Sequence, residues 1–149
     1  MIRRMKQNDY KEIIDLWRNT DGIGLRSLDD SQQGISVFLK RNPTTNFVAI
    51  ENGEIVGTIL CGHDGRRGYI YHTVVKDDYR NQGIATKLID AAVSALQKEK
   101  ITRVCLNVME KNEYAKSFWL NRGFEKKDFL GFYSKSITDK ENVPLFDAK

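Results

Sequence analysis

The sequence predicts a single α+β domain. Apolar residues recur at helical spacing in some segments and at strand spacing in others, and these segments follow the order β-α-α-β-β-β-α-β-α-β. With 40% hydrophobic and 30% charged residues among 149, the composition is typical of a globular chain that can bury its own core. No repeat or linker interrupts the pattern, so we expect one domain over residues 1–149.

The chain opens with a short strand and two helices. Residues 2–6 can form a strand, and the apolar spacing after the capping residues 8–9 predicts a helix that ends near residue 19. A glycine-containing loop over 20–28 precedes a second helix, which begins at one of residues 29–31 and ends before Pro43.

A strand meander and a long helix follow. Asn52-Gly53 and Asp64-Gly65 are turn dipeptides, and the first is a strong signal for a two-residue hairpin. The strands that they connect are predicted over residues 46–51, 55–62 and 68–75. Apolar positions at helical spacing then predict a helix over 83–98.

The last third alternates strand and helix again. We predict a strand over 101–108 and a short helix over 113–121 that Gly123 ends. One or two further strands are predicted within 124–137, followed by a polar tail with little core-forming content.

Charge and hydropathy narrow the function classes. A net charge of +4 fits an anionic ligand, a nucleic acid or no special partner. The sequence has no basic stretch that interleaves regularly with aromatics, so nucleic-acid binding is not favoured. No apolar run approaches the roughly 20 residues of a membrane span, and the first residues lack a signal-peptide core, so a cytoplasmic protein is expected. Cys61 and Cys105 match no disulfide framework or metal motif, so both are expected to be structural thiols and no metal site is predicted.

The turn before the long helix carries the clearest chemical signal. A strand ends at Val75, and the segment 80–86 then opens directly into the helix. Backbone N–H groups at a helix start lack intrahelical partners and carry the positive end of the helix dipole. Gly83 and Ala85 would let a phosphate approach them closely, and Arg80 and Lys87 could add charge. The alternative is a plain loop-to-helix turn, because the segment matches neither of the two common glycine-rich phosphate motifs.

Two motifs make the sequence resemble the GNAT acetyltransferases. Arg80-Asn81-Gln82-Gly83-Ile84-Ala85 matches the Arg/Gln-x-x-Gly-x-Gly/Ala signature of that superfamily. A second signature follows in Asn112-Glu113-Tyr114-Ala115, Phe118-Trp119 and Gly123-Phe124. Within the superfamily the chain looks most similar to the YpeA-like and ribosomal-protein alanine acetyltransferase-like bacterial group. The resemblance implies an αβα-layered acyl-CoA N-acyltransferase fold, with a mostly antiparallel sheet whose fourth and fifth strands splay apart.

The resemblance also implies an acetyl-CoA site. Backbone groups of Thr73, Val74 and Val75 should pair with the pantetheine arm like an added strand. Asn112 should reach the cofactor, and Trp119 should wall its site. The pyrophosphate should be held by the turn residues Arg80, Asn81, Gln82, Gly83, Ile84, Ala85 and Thr86.

The two motifs do not identify the residues that move protons during acetyl transfer. An ammonium has no lone pair, so acetyl transfer to an amine needs a base, and the departing thiolate needs a donor. Many relatives carry a tyrosine acid where Trp119 stands, and the alanine acetyltransferases carry a glutamate base where Asn107 stands. Tyr69 and Asn107 are the candidate catalytic residues, as groups that position water, and a backbone N–H such as that of Val75 can hold the oxyanion. Strand alternation puts Tyr69, Tyr71, Thr73 and Val75 on one face and His72 on the other, where it is expected to be a packed histidine.

An acetyl-CoA-dependent N-acetyltransferase is therefore the leading function, with a small-molecule or peptide amine as acceptor and a homodimer left open. The acceptor should meet the loop over residues 20–31, which does not reveal its identity. The alternative is an acyl-CoA sensor of the same fold with little turnover, which Trp119 and Asn107 keep open.

Overall fold

A computed structural model describes residues 1–145 of the chain. These residues form two compact units, which are described separately below. The first comprises residues 1–105 together with 141–145, and the second comprises residues 106–140.

The first unit is built on a five-stranded sheet. Its strands follow the order β1-β2-β3-β4-β5, and every neighbouring pair is antiparallel except the parallel pair β4–β5. The strands are β1 (Ile2–Arg4), β2 (Phe47–Glu51), β3 (Glu54–His63), β4 (Gly68–Val75) and β5 (Val104–Cys105).

Helices cover both faces of this sheet. One face carries α1 (Tyr10–Arg18), preceded by a 3₁₀ turn over Gln7–Asp9, and α2 (Gln32–Arg41). Both helices contribute to one buried core with Val48, Leu60 and Val74 of the sheet. The opposite face carries α3 (Ile84–Lys98), which follows a 3₁₀ turn over Asp77–Tyr79.

Two strand glycines allow α3 to lie close to the sheet. A Cβ on Gly68 would come within 2.6 Å of Leu96, and one on Gly57 would lie 3.1 Å from Leu88. Because these positions lack side chains, the apolar stripe of α3 packs directly on β3 and β4. The helical spacing predicts a buried stripe of Ile84, Leu88, Ile89, Ala92, Val93 and Leu96, and all of these are buried except Val93, which is partly buried, while Ala95 is buried as well.

The second unit contains α4 (Glu113–Leu120). Asn112 caps the helix start through its Oδ1, which accepts the Ala115 N–H at 2.9 Å. Gly123 follows the helix with φ of 87°, and the Phe124 N–H donates to the Trp119 carbonyl at 3.2 Å. A left-handed glycine that closes the last turn is the helix stop that the sequence predicts.

Most of the predicted elements are confirmed. Asn52 and Gly53 both have positive φ, 52° and 76°, as a type I′ hairpin turn requires. Ser31 is the residue of the 29–31 cluster that caps α2, because its Oγ accepts the Gly34 N–H at 3.0 Å.

The predictions after α3 are partly wrong. The strand expected over 101–108 is confined to Val104–Cys105, because only these residues pair with β4. The strands expected within 124–137 do not form, and the apolar side chains that suggested them are exposed, including 82% of Phe129 and 95% of Ile137. Strand-like composition alone does not make a strand without a partner to accept its backbone hydrogen bonds.

Candidate functional site

The turn into α3 has the backbone shape of an anion site. Gly83, at the N-cap, is left-handed with φ of 79°, and Asn81 is left-handed with φ of 63°. Within residues 1–145, the N-cap residue Gly83 has no side chain that could cap the helix start. The first N–H groups of α3 therefore lie beside an exposed turn of left-handed backbone, which is the arrangement that suits a phosphate oxygen.

Arg80 ties this turn to the end of β4. Its Nε donates to the Val75 carbonyl at 3.1 Å, and its Nη2 lies 3.0 Å from the Asp77 carboxylate. The guanidinium is still half-exposed, at 50%. Arg80 thus fixes the turn geometry, and part of its charge is already balanced by Asp77.

One edge of β4 is left open next to the turn. The pairing with β5 covers only Gly68 and Tyr69, whereas the pairing with β3 continues to Val75. Along Thr73, Val74 and Val75, no second strand of the first unit pairs with β4. An open strand edge offers backbone donors and acceptors to an extended ligand.

A β-bulge interrupts β4 before that open edge. Ile70 pairs with Cys61 and Thr73 pairs with Ile59, so Leu60 alone faces both Tyr71 and His72. The extra residue in β4 shifts the alternation of side chains beyond it.

This bulge overturns the face assignment that strict alternation predicts. The His72 ring lies 4.8 Å from the Trp17 ring of α1, and the Tyr71 ring lies 5.8 Å from the Phe38 ring of α2. Tyr71 and His72 therefore point to the same face, whereas Val75 pairs with Gly57 and lies on the α3 face. The prediction that His72 points away from Tyr71 is wrong.

Two tyrosines line β4 near the bulge. The Tyr69 and Tyr71 rings are 5.2 Å apart, and Tyr69 pairs with Cys105 at the last residue pair of the parallel ladder. Burial, and then the Asp29 carboxylate, raise the pKa of Tyr71, so its hydroxyl stays protonated near neutral pH. Tyr69 thus lies where β4 and β5 stop pairing.

His72 has a buried partner that the sequence analysis missed. Its Nε2 lies 2.7 Å from Oδ1 of Asp30, whose carboxylate is 4% exposed. The sequence did hold a signal: only one of the three polar residues 29–31 can cap α2, which leaves two acidic side chains for another role.

The second unit holds the remaining candidate residues. The side-chain oxygen of Asn112 caps α4 by accepting the Ala115 N–H, which fixes the orientation of the amide. The Trp119 ring makes edge contacts with Phe118 at 5.1 Å and Phe124 at 5.0 Å. Asn107 is exposed. Trp119 is thus part of an aromatic cluster with Phe118 and Phe124.

Sequence comparison assigns the chain to a family. The pattern of the Acetyltransferase (GNAT) family matches residues 10–124. This chain is a GNAT acetyltransferase. An acetyltransferase from Yersinia pestis is 36% identical over 144 residues, which cover 94% of this chain and 98% of the relative. The match includes α3 and its turn as well as α4.

Solved structures agree on the fold of this GNAT acetyltransferase. The ribosomal-protein-S18-alanine N-acetyltransferase from Escherichia coli superposes with a TM-score of 0.73 at 17% identity, covering 95% of this chain and 87% of its own. An aminoglycoside N-acetyltransferase, AAC(6')-Iy, solved in complex with CoA, superposes with a TM-score of 0.70 at 17% identity and covers 91% and 99%. Such low identities support the fold alone.

Among the described helices of the enzyme, none combines the length and the apolar character needed to cross a membrane.

Proposed function

We propose that the chain is a single-domain acetyl-CoA-dependent N-acetyltransferase that acetylates a primary amine. The observation that carries the proposal is the exposed, left-handed turn at Gly83 that opens α3, reached from a β4 edge that no second strand of the first unit covers beyond Tyr69. Family membership supports acetyl transfer, and the anion-binding geometry of the turn supports a donor that carries phosphates.

The cofactor is proposed to lie along β4 and across the turn. Its extended pantetheine arm would add to the open edge at residues 73–75, and its pyrophosphate would meet the N–H groups of residues 81–86. Arg80 would contribute the exposed part of its guanidinium. Asn112 and Trp119 remain cofactor-contact candidates from the second unit.

The reaction is proposed to be a direct attack in a ternary complex. The amine nitrogen forms a bond to the acetyl carbon, the carbon–sulfur bond breaks, and the thiolate leaves. A backbone N–H of β4, with that of Val75 as the candidate, would stabilise the oxyanion. Tyr69 and Asn107 are proposed to position water near the reacting atoms.

The acceptor is proposed to be a small molecule or a peptide that carries a primary amine. Both kinds are named among the structural neighbours, one an aminoglycoside and the other a ribosomal-protein alanine.

Within the superfamily, the segment Gly53-Glu54-Ile55-Val56-Gly57-Thr58 supports placement near the YpeA-like branch. The chain could act as a monomer or as a homodimer.

A second candidate is an acyl-CoA sensor of the same fold. Trp119 and Asn107 favour it, because neither side chain can supply a proton donor or base of ordinary strength. Binding of acetyl-CoA without release of CoA thiol across a broad panel of amines would support this candidate over the enzyme.

Calorimetric titration with CoA tests the cofactor site. Gly83→Glu places a carboxylate where the pyrophosphate is proposed to lie, and it should weaken CoA binding at least about tenfold through charge repulsion and obstruction. Gly65→Glu is the matched control, because Gly65 also has positive φ (88°) and open space but lies in the β3–β4 turn. Equal CoA affinity in both variants would remove the turn as the site.

A further inference from the structure

The side chains of Asp30 and His72 form a partly buried pair that the acetyl-transfer scheme above does not use. Oδ1 of Asp30 lies 2.7 Å from His72 Nε2, and Oδ2 accepts the Arg26 N–H at 2.7 Å. The Tyr10 hydroxyl donates to the Asp30 carbonyl at 2.7 Å, and the Trp17 ring packs edge-on against the imidazole. Both partners are therefore held in one orientation.

The pairing fixes which imidazole nitrogen can accept a proton. A carboxylate only accepts hydrogen bonds, so Nε2 of His72 must carry the hydrogen that it shares with Asp30. In the neutral ring the lone pair then lies on Nδ1. Within residues 1–145, no side chain or backbone group forms a hydrogen bond with that atom.

The bulge places this imidazole beside the open part of β4. His72 directly precedes Thr73, the first residue of the edge proposed to hold the pantetheine arm. It faces the α1–α2 side of the sheet, and its partner Asp30 ends the loop from which acceptor contacts are expected. The His72 side chain is 15% exposed, so part of the ring still meets solvent.

We propose that His72, oriented by Asp30, is the base that takes a proton from the acceptor amine. The proposal rests on the acetyl-transfer function proposed above. Nδ1 of His72 accepts one proton from the ammonium, which frees the nitrogen lone pair to attack the acetyl carbon of acetyl-CoA. The carbon–nitrogen bond forms and the carbon–sulfur bond breaks. The second amine proton goes to the departing thiolate, and His72 later returns its proton to water.

Several titratable groups lie near the Asp30 and His72 pair and contribute to the pH dependence of the rate. The α1–α2 loop contributes Asp29 and Asp30, α1 contributes Tyr10, and β4 contributes Tyr71. Burial raises the pKa of both Tyr10 and Tyr71, so neither changes its charge in the neutral range where a histidine base acts.

His72→Gln and Asp30→Asn test the proposal by steady-state kinetics across pH. The amine that the wild-type chain acetylates fastest serves as acceptor. The glutamine variant should lower kcat about a hundredfold or more and lose the acidic limb of the kcat profile. Asp30→Asn should lower kcat by a smaller factor. Both variants should keep the calorimetric CoA affinity of the wild type, which also verifies folding.

His63→Gln is the matched control. The His63 side chain is also 15% exposed and faces a carboxylate, Glu99 at 3.6 Å, but it lies at the end of β3. Its kcat and pH profile should match the wild type. A His72→Gln kcat within about threefold of wild type, with the acidic limb retained, would overturn the base assignment. So would equal losses in the His63 and His72 variants.

The two proposals fail in different ways. If the wild-type chain binds CoA and acetylates the amine, and His72→Gln does so at the same rate, the assignment of His72 as the base is contradicted. The proposed acetyl transfer then still stands. A wild-type chain that does not bind CoA contradicts acetyl transfer and removes the base with it.

Discussion

Asp9 shows how one carboxylate can join the first strand to the first helix. Both its oxygens accept from the Arg3 guanidinium, at 2.8 and 2.9 Å, and Oδ2 also accepts the Lys6 N–H at 2.7 Å. Burial opposes ionisation of this carboxyl, but the hydrogen bonds from Arg3 and Lys6 outweigh it and lower the pKa of Asp9 from its ordinary 3.8. The sequence alone predicts only a helix cap at this position.

We predict that Asp9→Asn lowers the free energy of unfolding by about 1–3 kcal/mol at pH 7, since it leaves a partly buried guanidinium without its charge partner. Because the pKa of Asp9 is lower in the folded chain, its contribution is complete above pH 3.8 and is lost as pH falls further. Urea unfolding of both proteins from pH 7 down to pH 3 measures this. Asp15→Asn, at an exposed site on α1, is the control and should stay within about 0.5 kcal/mol of wild type. A deficit in Asp9→Asn that does not shrink in acid would contradict the ion pair.

Cys61 gives a second prediction at the scale of one residue. It is completely buried on β3, and burial raises the pKa of its thiol to about 12. Because the thiolate is the reactive form, we expect a thiol reagent at pH 8 to label Cys105 first and Cys61 only after unfolding. Counting labelled thiols with and without denaturant measures this, with Cys105→Ser as the control that should show no label when folded. Rapid labelling of folded Cys105→Ser would contradict the burial of Cys61.

At the scale of elements, the start of α2 depends on a close approach to the loop before it. A Cβ at Gly34 would lie 2.5 Å from the Asp29 carbonyl oxygen. Replacing a helical glycine by alanine normally stabilises a protein, but here the contact is with backbone that must move. We predict that Gly34→Ala lowers the free energy of unfolding by about 1–3 kcal/mol, measured by urea denaturation.

Gly24→Ala is the control for this prediction. Gly24 lies in the same loop, and nothing lies within 4 Å of the Cβ that it would gain. Its free energy of unfolding should change by less than about 0.5 kcal/mol. Similar losses of unfolding free energy in Gly24→Ala and Gly34→Ala would mean that this region tolerates no added side chain. The close approach of Gly34 to the Asp29 carbonyl would then not be the cause.

Elements whose signals are local could be predicted from the sequence. The Asn52-Gly53 hairpin, the Ser31 cap and the Gly123 stop each depend on the backbone conformation that one or two residues favour. The turn at Gly83 belongs to the same class, since its left-handed glycine opens α3 as the motif implies.

Elements that depend on pairing with residues distant in the sequence could not be predicted from it. The bulge at Tyr71 and His72 arises from the register between β3 and β4, and neither strand alone encodes which residue is left over. The Asp30 and His72 pair follows from that bulge, so the sequence analysis missed it as well. The strands expected within 124–137 failed for the opposite reason, because their composition favours a strand that finds no pairing partner.

At the scale of the whole molecule, residues 141–145 form hydrogen bonds with the loop between α1 and α2. The Ser27 N–H donates to the Val143 carbonyl at 2.8 Å, and the Leu145 N–H donates to the Leu25 carbonyl at 3.0 Å. The Asn142 side chain accepts the Leu28 N–H at 3.0 Å and donates to Asp29 at 2.9 Å. Residues 141–145 thus extend along the loop that ends at Asp30, although the sequence predicted a loosely docked tail.

We therefore predict that a chain ending at Lys140 loses stability and, with it, order in residues 25–29. At about 1 kcal/mol net for each hydrogen bond, several of them solvent-exposed, removal of this segment should cost about 2 kcal/mol of unfolding free energy. Hydrogen exchange followed by mass spectrometry should show faster exchange of the amides of Ser27 and Leu28, which lose their acceptors. A chain ending at Leu145 keeps every one of these contacts and should protect the amides of Ser27 and Leu28 better than the chain ending at Lys140 does. Asn142→Ala should accelerate exchange at Leu28 and leave Ser27 near the full-length rate, because its acceptor, the Val143 carbonyl, remains. If the amides of residues 25–29 exchange at full-length rates in the chain ending at Lys140, then α1 and α2 alone hold this loop. Residues 141–145 would then contribute nothing to the position of Asp30.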